Sequence, residues 1–246
     1  LNKVLKEPMS KLKENYQKEV YLREILMLPL FIEIPDSSVA FEIRLENKEG
    51  LPNINSLSDI NFRENFFIEY LTLLKVKDPA LFSETFFPSV EENELKIEDN
   101  STVSVAKSTS RKITDLEEFY NILGAYAKKA DDKAVFDVNW ERSIRFEGER
   151  GLNMNYINAL VTKALPVHLS QYDVDRIAKH EEVYANIRSM GIEDEDDIAK
   201  MQKISPSFRT RVLNVSLNVI LPYRTVLYKF LYNIDSGTIT ELKVYR

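Results

Sequence analysis

Residues 211–246 read RVLNVSLNVILPYRTVLYKFLYNIDSGTITELKVYR. Leu213, Val215, Leu217, Val219 and Leu221 alternate with Asn214, Ser216 and Asn218, the period-two pattern of a strand with one buried face. Pro222-Tyr-Arg224 makes a turn, after which Val226, Tyr228, Phe230, Tyr232 and Ile234 again share one face. Asp235-Ser-Gly237 supplies a second tight turn, with glycine where positive φ is needed. The reading is a three-strand antiparallel meander over about 211–246. A one-faced sheet must be covered, and the middle of the chain holds helical patterns that could do it. The fold class expected is therefore α+β: an antiparallel sheet including this meander, covered by several helices.

Working back from the meander, residues 8–27 carry Leu12, Tyr16 and Val20 at helical spacing, and Pro29 ends the run. Phe31, then Val39, Phe41, Ile43 and Leu45, alternate around the turn Pro35-Asp-Ser-Ser38 and predict a hairpin. Asn61-Phe-Arg-Glu64 and Thr114-Asp-Leu-Glu117 have the form of capping boxes, and Asp78-Pro79 opens a short helix ending near Phe86. Leu116, Phe119, Leu123 and Tyr126 mark one helical stripe. Ala134–Trp140 reads as a strand with Phe136, Val138 and Trp140 on one face, continued by Ile144 and Phe146. A helix follows Gly151 up to Pro166, and another is expected from Ser170 through Met190, stopped by Gly191. Five acids within Glu193–Asp197 load the first turn of a last helix, where the helix dipole favours them. Residues 89–112 read as a projecting hairpin or arm, and the Ser, Thr and Lys of 105–112 suggest a boundary. The organisation expected is an N-terminal α+β region over 1–108 and a C-terminal one over 109–246, or one continuous domain.

Composition narrows the function classes. At 246 residues with 44% hydrophobic and 29% charged residues, the chain has a globular composition. Its longest apolar run, Ile25–Ile32, is too short for a bilayer and contains Pro29. No signal-peptide pattern opens the chain, so the location expected is cytoplasmic or within an assembled particle. There is no cysteine, which removes disulfide scaffolds, thiolate metal sites and cysteine nucleophiles. The six glycines are scattered, and Gly148-Glu-Arg-Gly151 has neither Walker nor dinucleotide spacing. No cofactor is expected.

Individual residues offer little catalytic chemistry. Glu241-Leu-Lys243 has the acid-x-lysine spacing of PD-(D/E)xK nuclease strands, in which two acids hold Mg²⁺. Asp235, the acid just upstream, is too near to face the triplet, and Glu94-Leu-Lys96 repeats the pattern by chance. A surface charge pair is the plainer reading. His168 and His180 lack metal-pair spacing. Asp137, Glu141, Glu147 and Glu149 flank Trp140, but the alternation turns Asp137 to solvent and Trp140 to the core or an interface.

Charge distribution is more telling. From Ser205 onward six basic residues face two acidic ones, a net +4, which leaves −10 on the rest of a chain whose total is −6. Basic charge on an acidic body can complement a neighbouring subunit or attract nucleic acid. The partner-contact residues expected are Arg209, Arg211, Arg224, Lys229, Lys243 and Trp140. The function expected is that of a non-enzymatic subunit of a larger assembly such as a phage tail, virion or secretion machine. Its partners would be other protein subunits or copies of itself. The alternative is a nucleic-acid-binding or -processing protein using the basic sheet. If the strand Glu241–Tyr245 lies at a sheet edge, its backbone is open to pairing.

Overall fold

The structure, a computed structural model, describes residues 5–88, 112–148 and 151–245. The chain opens with two helices rather than one, α1 (Glu7–Lys11) and α2 (Asn15–Leu26). The break falls where Glu14 and Gln17 form a reciprocal capping box, starting a second helix inside the expected one. The hairpin follows as expected, β1 (Leu30–Glu33) with β2 (Ala40–Glu46), Leu30 opposite Ile43.

A long helical stretch comes next: α3 (Ile60–Phe62), a π turn over Arg63–Phe67, and α4 (Ile68–Leu73). Its cap is Asp59, which accepts from the Asn61 and Phe62 amides, two residues ahead of the capping box read from sequence. Asp78 caps α5 (Pro79–Phe86) by accepting from Leu81. The arm expected over 89–112 lies, apart from Lys112, outside the described residues. Helix α6 (Leu116–Ala130) is capped by Asp115, and the Glu118 carboxylate reaches back to the Thr114 amide, one residue later than expected.

The strand expected around Trp140 is not there. Ala134–Asp137 is a 3-10 turn and α7 (Trp140–Ser143) a single helical turn. Val135 and Trp140 are buried while Phe136 is 48% exposed, so the alternation was incidental. The Trp140 indole stacks on Phe82 and donates to the Val135 carbonyl, a packing that extended backbone could not reach. Further on come β3 (Leu152–Asn153), α8 (Ala159–Lys163), α9 (Gln171–Ala178), α10 (Glu195–Gln202) and β4 (Pro206–Ser207). Helix α9 stops twelve residues short of Met190: His180 takes a left-handed φ of 54°, and Arg23 donates to the His180 and Glu182 carbonyls. A side chain remote in sequence thus takes over carbonyls that a continuing helix would have used.

The meander is present as expected: β5 (Val212–Leu221), β6 (Arg224–Asn233) and β7 (Ile239–Tyr245). The hairpin joins it, giving a five-stranded antiparallel sheet in the order β1-β2-β5-β6-β7. Register places Leu45, Val215 and Phe230 side by side, and Leu213 beside Tyr232. That face is covered by the N-terminal helices, through Leu5, Met9 and Leu22, rather than by the middle helices. The middle helices instead enclose their own, larger cluster around Phe66, Tyr70, Phe82, Phe119, Trp140 and Tyr184. The fold is α+β, with the sheet built from both ends of the chain.

Candidate interaction surface

Where the two hydrophobic clusters meet, the protein buries charge. Glu19 of α2 accepts from the Thr210 amide and hydroxyl and from the Tyr156 hydroxyl. Glu49, just past β2, accepts from the Arg211 and Val212 amides as β5 begins. Arg145 lies beside Glu49 and donates to the Leu51, Glu147 and Gly151 carbonyls. Burial pushes both carboxyls above their ordinary range, more than these donors pull them down. A polar cleft of about 360 Å³ opens on this seam between Glu49, Arg145, Asn153 and Arg211. Its charged groups already hold partners within the chain, so the seam joins two bodies and is not a vacant site.

The six partner residues read from sequence do not form one patch. Trp140, at 0% exposure, is wedged among Phe82 and Phe119 in the helical core rather than on the surface. Arg209 is ion-paired with Asp235. Arg224 opens β6 at one end of the sheet, beside the fully exposed Tyr223. Arg211 precedes β5 at the other end, a ten-residue strand away, or roughly 30 Å. Lys229 and Lys243 are cross-strand neighbours on the face opposite the helices, with Lys229 5.5 Å from the Tyr245 ring centre. On that same face Glu42 pairs with Arg44, so its charge is mixed.

The triplet Glu241-Leu-Lys243 meets an acid that sequence distance hid. Glu147, reaching across from the loop after Ile144, shares a side-chain hydrogen bond with Glu241. Burial first, then the Glu241 charge, raises the Glu147 carboxyl above its ordinary range, while Lys243 and Lys48 oppose the shift. That contact joins the helical body to β7. Glu241 itself takes a left-handed φ of 56° at a bulge in the β6–β7 pairing.

The sheet's two edges are the exposed features. Among the described residues neither β1 nor β7 has a pairing partner on its outer side. Around β1 stand Met27 at 75% exposure, Leu28 at 72% and Phe31 at 67%, with Ile32 and Ile34 also open. In sequence the run Ile25–Ile32 reads as an apolar segment too short to span a membrane, with Phe31 entering a hairpin. Its position beside a hairpin edge was the signal that it is a surface. Along β7 Ile239, Leu242 and Val244 are exposed on the helix-packed face, the side set by Tyr232 opposite Ile239 and Tyr228 opposite Val244. No helix of the described residues is long and apolar enough to cross a membrane.

No protein family and no curated protein matches this sequence. Among solved structures, the chain is similar to one in the crystal structure of the GspK-GspI-GspJ complex from the enterotoxigenic Escherichia coli Type 2 Secretion System. The TM-score is 0.51 at 10% sequence identity, over 89% of this chain and 84% of that one. At that identity the likeness is one of fold, and it extends over most of both chains.

Proposed function

We propose that the chain is a non-enzymatic subunit that builds or connects a larger protein assembly. The observation that carries this reading is the apolar rim of β1, large exposed side chains beside strand backbone that is unpaired among the described residues. Monomeric proteins cover or charge such edges, and exposed ones serve as pairing surfaces. Among such assemblies a secretion machine has the support of the fold likeness, whereas nothing favours a phage or viral particle. Location within an assembled particle belongs to the same proposal. The nucleic-acid alternative loses its basis, because the basic side chains are spread along the sheet and interleaved with acids.

The test is isolation of the tagged chain from its native source at its native level, with mild cross-linking. The expected product is a species larger than the 28.6 kDa chain that contains other chains in fixed ratio. Recovery of the lone chain under those conditions overturns the reading. So does salt-sensitive binding of nucleic acid by the purified chain in the absence of any protein partner.

A further inference from the structure

Both open edges carry apolar side chains on the same side of the sheet. On the helix-packed face β1 presents Ile32, followed by Ile34, and β7 presents Leu242 and Val244. On the opposite face β1 presents Glu33 and β7 presents Lys243. Since neighbouring strands are antiparallel throughout the order β1-β2-β5-β6-β7, the two outermost strands run in the same direction. A copy displaced along the sheet, without inversion, therefore brings its β7 parallel to β1 with the faces matched. A register setting Glu33 beside Lys243 also sets Ile32 beside Leu242 and Ile34 beside Val244.

We propose that the β1 edge is the docking strand for the β7 edge of a second copy, joining copies head to tail into one continued sheet. The inference rests on the assembly reading above and names the partner at its surface. Charge fits this pairing and disfavours a β1–β1 one. Glu33 and Asp36 make the β1 rim acidic, whereas Lys243 of β7 stands beside Lys229 of β6. A β1–β1 contact would set acids against acids. The charge split along the chain, −10 before Ser205 and +4 after it, has the same sense. Area is consistent with a weak, multiplied contact. The apolar side chains brought together are few and partly covered already, Ile32 and Ile34 with Leu242 and Val244, so the area falls below the about 800 Å² per partner of a stable pair. Because the contact is between unlike edges, each copy keeps one edge free, and rings or filaments result.

The backbone offers a clean block. The Ile34 amide donates inward to Val39, so by alternation the Phe31 and Glu33 amides point to the open side. Phe31→Pro removes an outward donor and leaves the β1–β2 ladder whole. The experiment is sedimentation of the purified chain over a concentration series up to the order of 100 µM. The proposal expects concentration-dependent growth beyond the monomer, abolished by Phe31→Pro. Glu33→Lys alone and Lys243→Glu alone each weaken it about tenfold, and the double exchange Glu33→Lys with Lys243→Glu restores it to within about threefold. Restoration cannot come from a folding defect, since both side chains are exposed in the single chain. A chain that stays monomeric at every concentration overturns the proposal, as does association indifferent to Phe31→Pro or a double exchange that does not recover. If the chain is monomeric yet natively isolated material still holds other chains, this pairing is wrong while the assembly reading stands.

Discussion

Glu19 is a carboxylate with almost no contact with water, 1% exposed, held by one hydroxyl and two groups of Thr210. Its protonation decides a part of the molecule's pH response. Burial raises its folded-state pKa above 4.5, so the folded protein holds the proton more tightly than the unfolded chain. Its contribution to stability is therefore full below about 4.5 and declines as pH rises through the raised value. Glu49 acts in the same sense. His180 acts in the opposite one: burial, then Arg23, lowers its pKa below 6.5. Its contribution is complete above 6.5 and is lost as pH falls through the lowered value. Denaturant midpoints measured from pH 4 to 8, on the order of the unfolded carboxyl and imidazole range, separate the two. Glu19→Gln should flatten the fall toward high pH, and His180→Asn, whose amide tolerates the left-handed φ, should flatten the fall toward low pH. An unchanged slope in Glu19→Gln would show that this carboxyl carries no proton in the folded protein.

Elements whose evidence was local were legible in the sequence, and those set by distant contacts were not. The meander, the β1–β2 hairpin, α5 and α10 each rest on alternation or on an adjacent cap, such as Asp78 or Asp194. The joining of the hairpin to β5 brings Leu45 beside Val215, which no local pattern announces. The false strand at Ala134–Trp140 arose because Phe136 happened to fall in step with Trp140, whereas Val135 is the residue that packs. The early end of α9 was invisible for a comparable reason, since Arg23 lies more than 150 positions before the His180 carbonyl it binds. The seam carboxylates Glu19 and Glu49 carry no local mark of burial in the sequence, and only the arrival of residues 210–212 covers them. Of the candidate surface, the β7 edge was visible as a terminal strand, but the exposure of Phe31 depended on which strand became the other edge. Two glycines show the difference at the bench. Around Gly124, exposed in α6, nothing lies within 4 Å of an added Cβ, so Gly124→Ala should stabilise by about 0.5–1 kcal/mol. At Gly50 the Cβ would sit 2.1 Å from the Tyr156 carbonyl oxygen, so Gly50→Ala should cost about 1–3 kcal/mol. Paired denaturant curves decide both, and equal signs would refute the close approach of the Gly50 loop to Tyr156.

At the scale of the molecule, two hydrophobic clusters are coupled through a polar seam rather than through shared apolar packing. The sheet cluster draws on Leu5–Leu45 and Leu213–Ile234, and the helical cluster on residues between them in sequence. Glu49 is the tie, since it accepts from the first amides of β5 while facing Arg145 of the helical body. Removing it takes away the carboxylate that receives the first β5 amides, a loss of about 1–3 kcal/mol. The loss falls on the contact between the bodies more than on either core, so cooperativity should fail along with stability. The single tryptophan, Trp140, belongs to the helical cluster, and its fluorescence reports on that body alone. Far-ultraviolet circular dichroism reports on both. In the unaltered protein the two probes should trace one transition. In Glu49→Ala they should separate, with part of the dichroism lost before the tryptophan emission shifts, as the sheet comes apart from helices that stay folded. Coincident transitions in that variant would mean that the two clusters are held together by something other than the Glu49 seam.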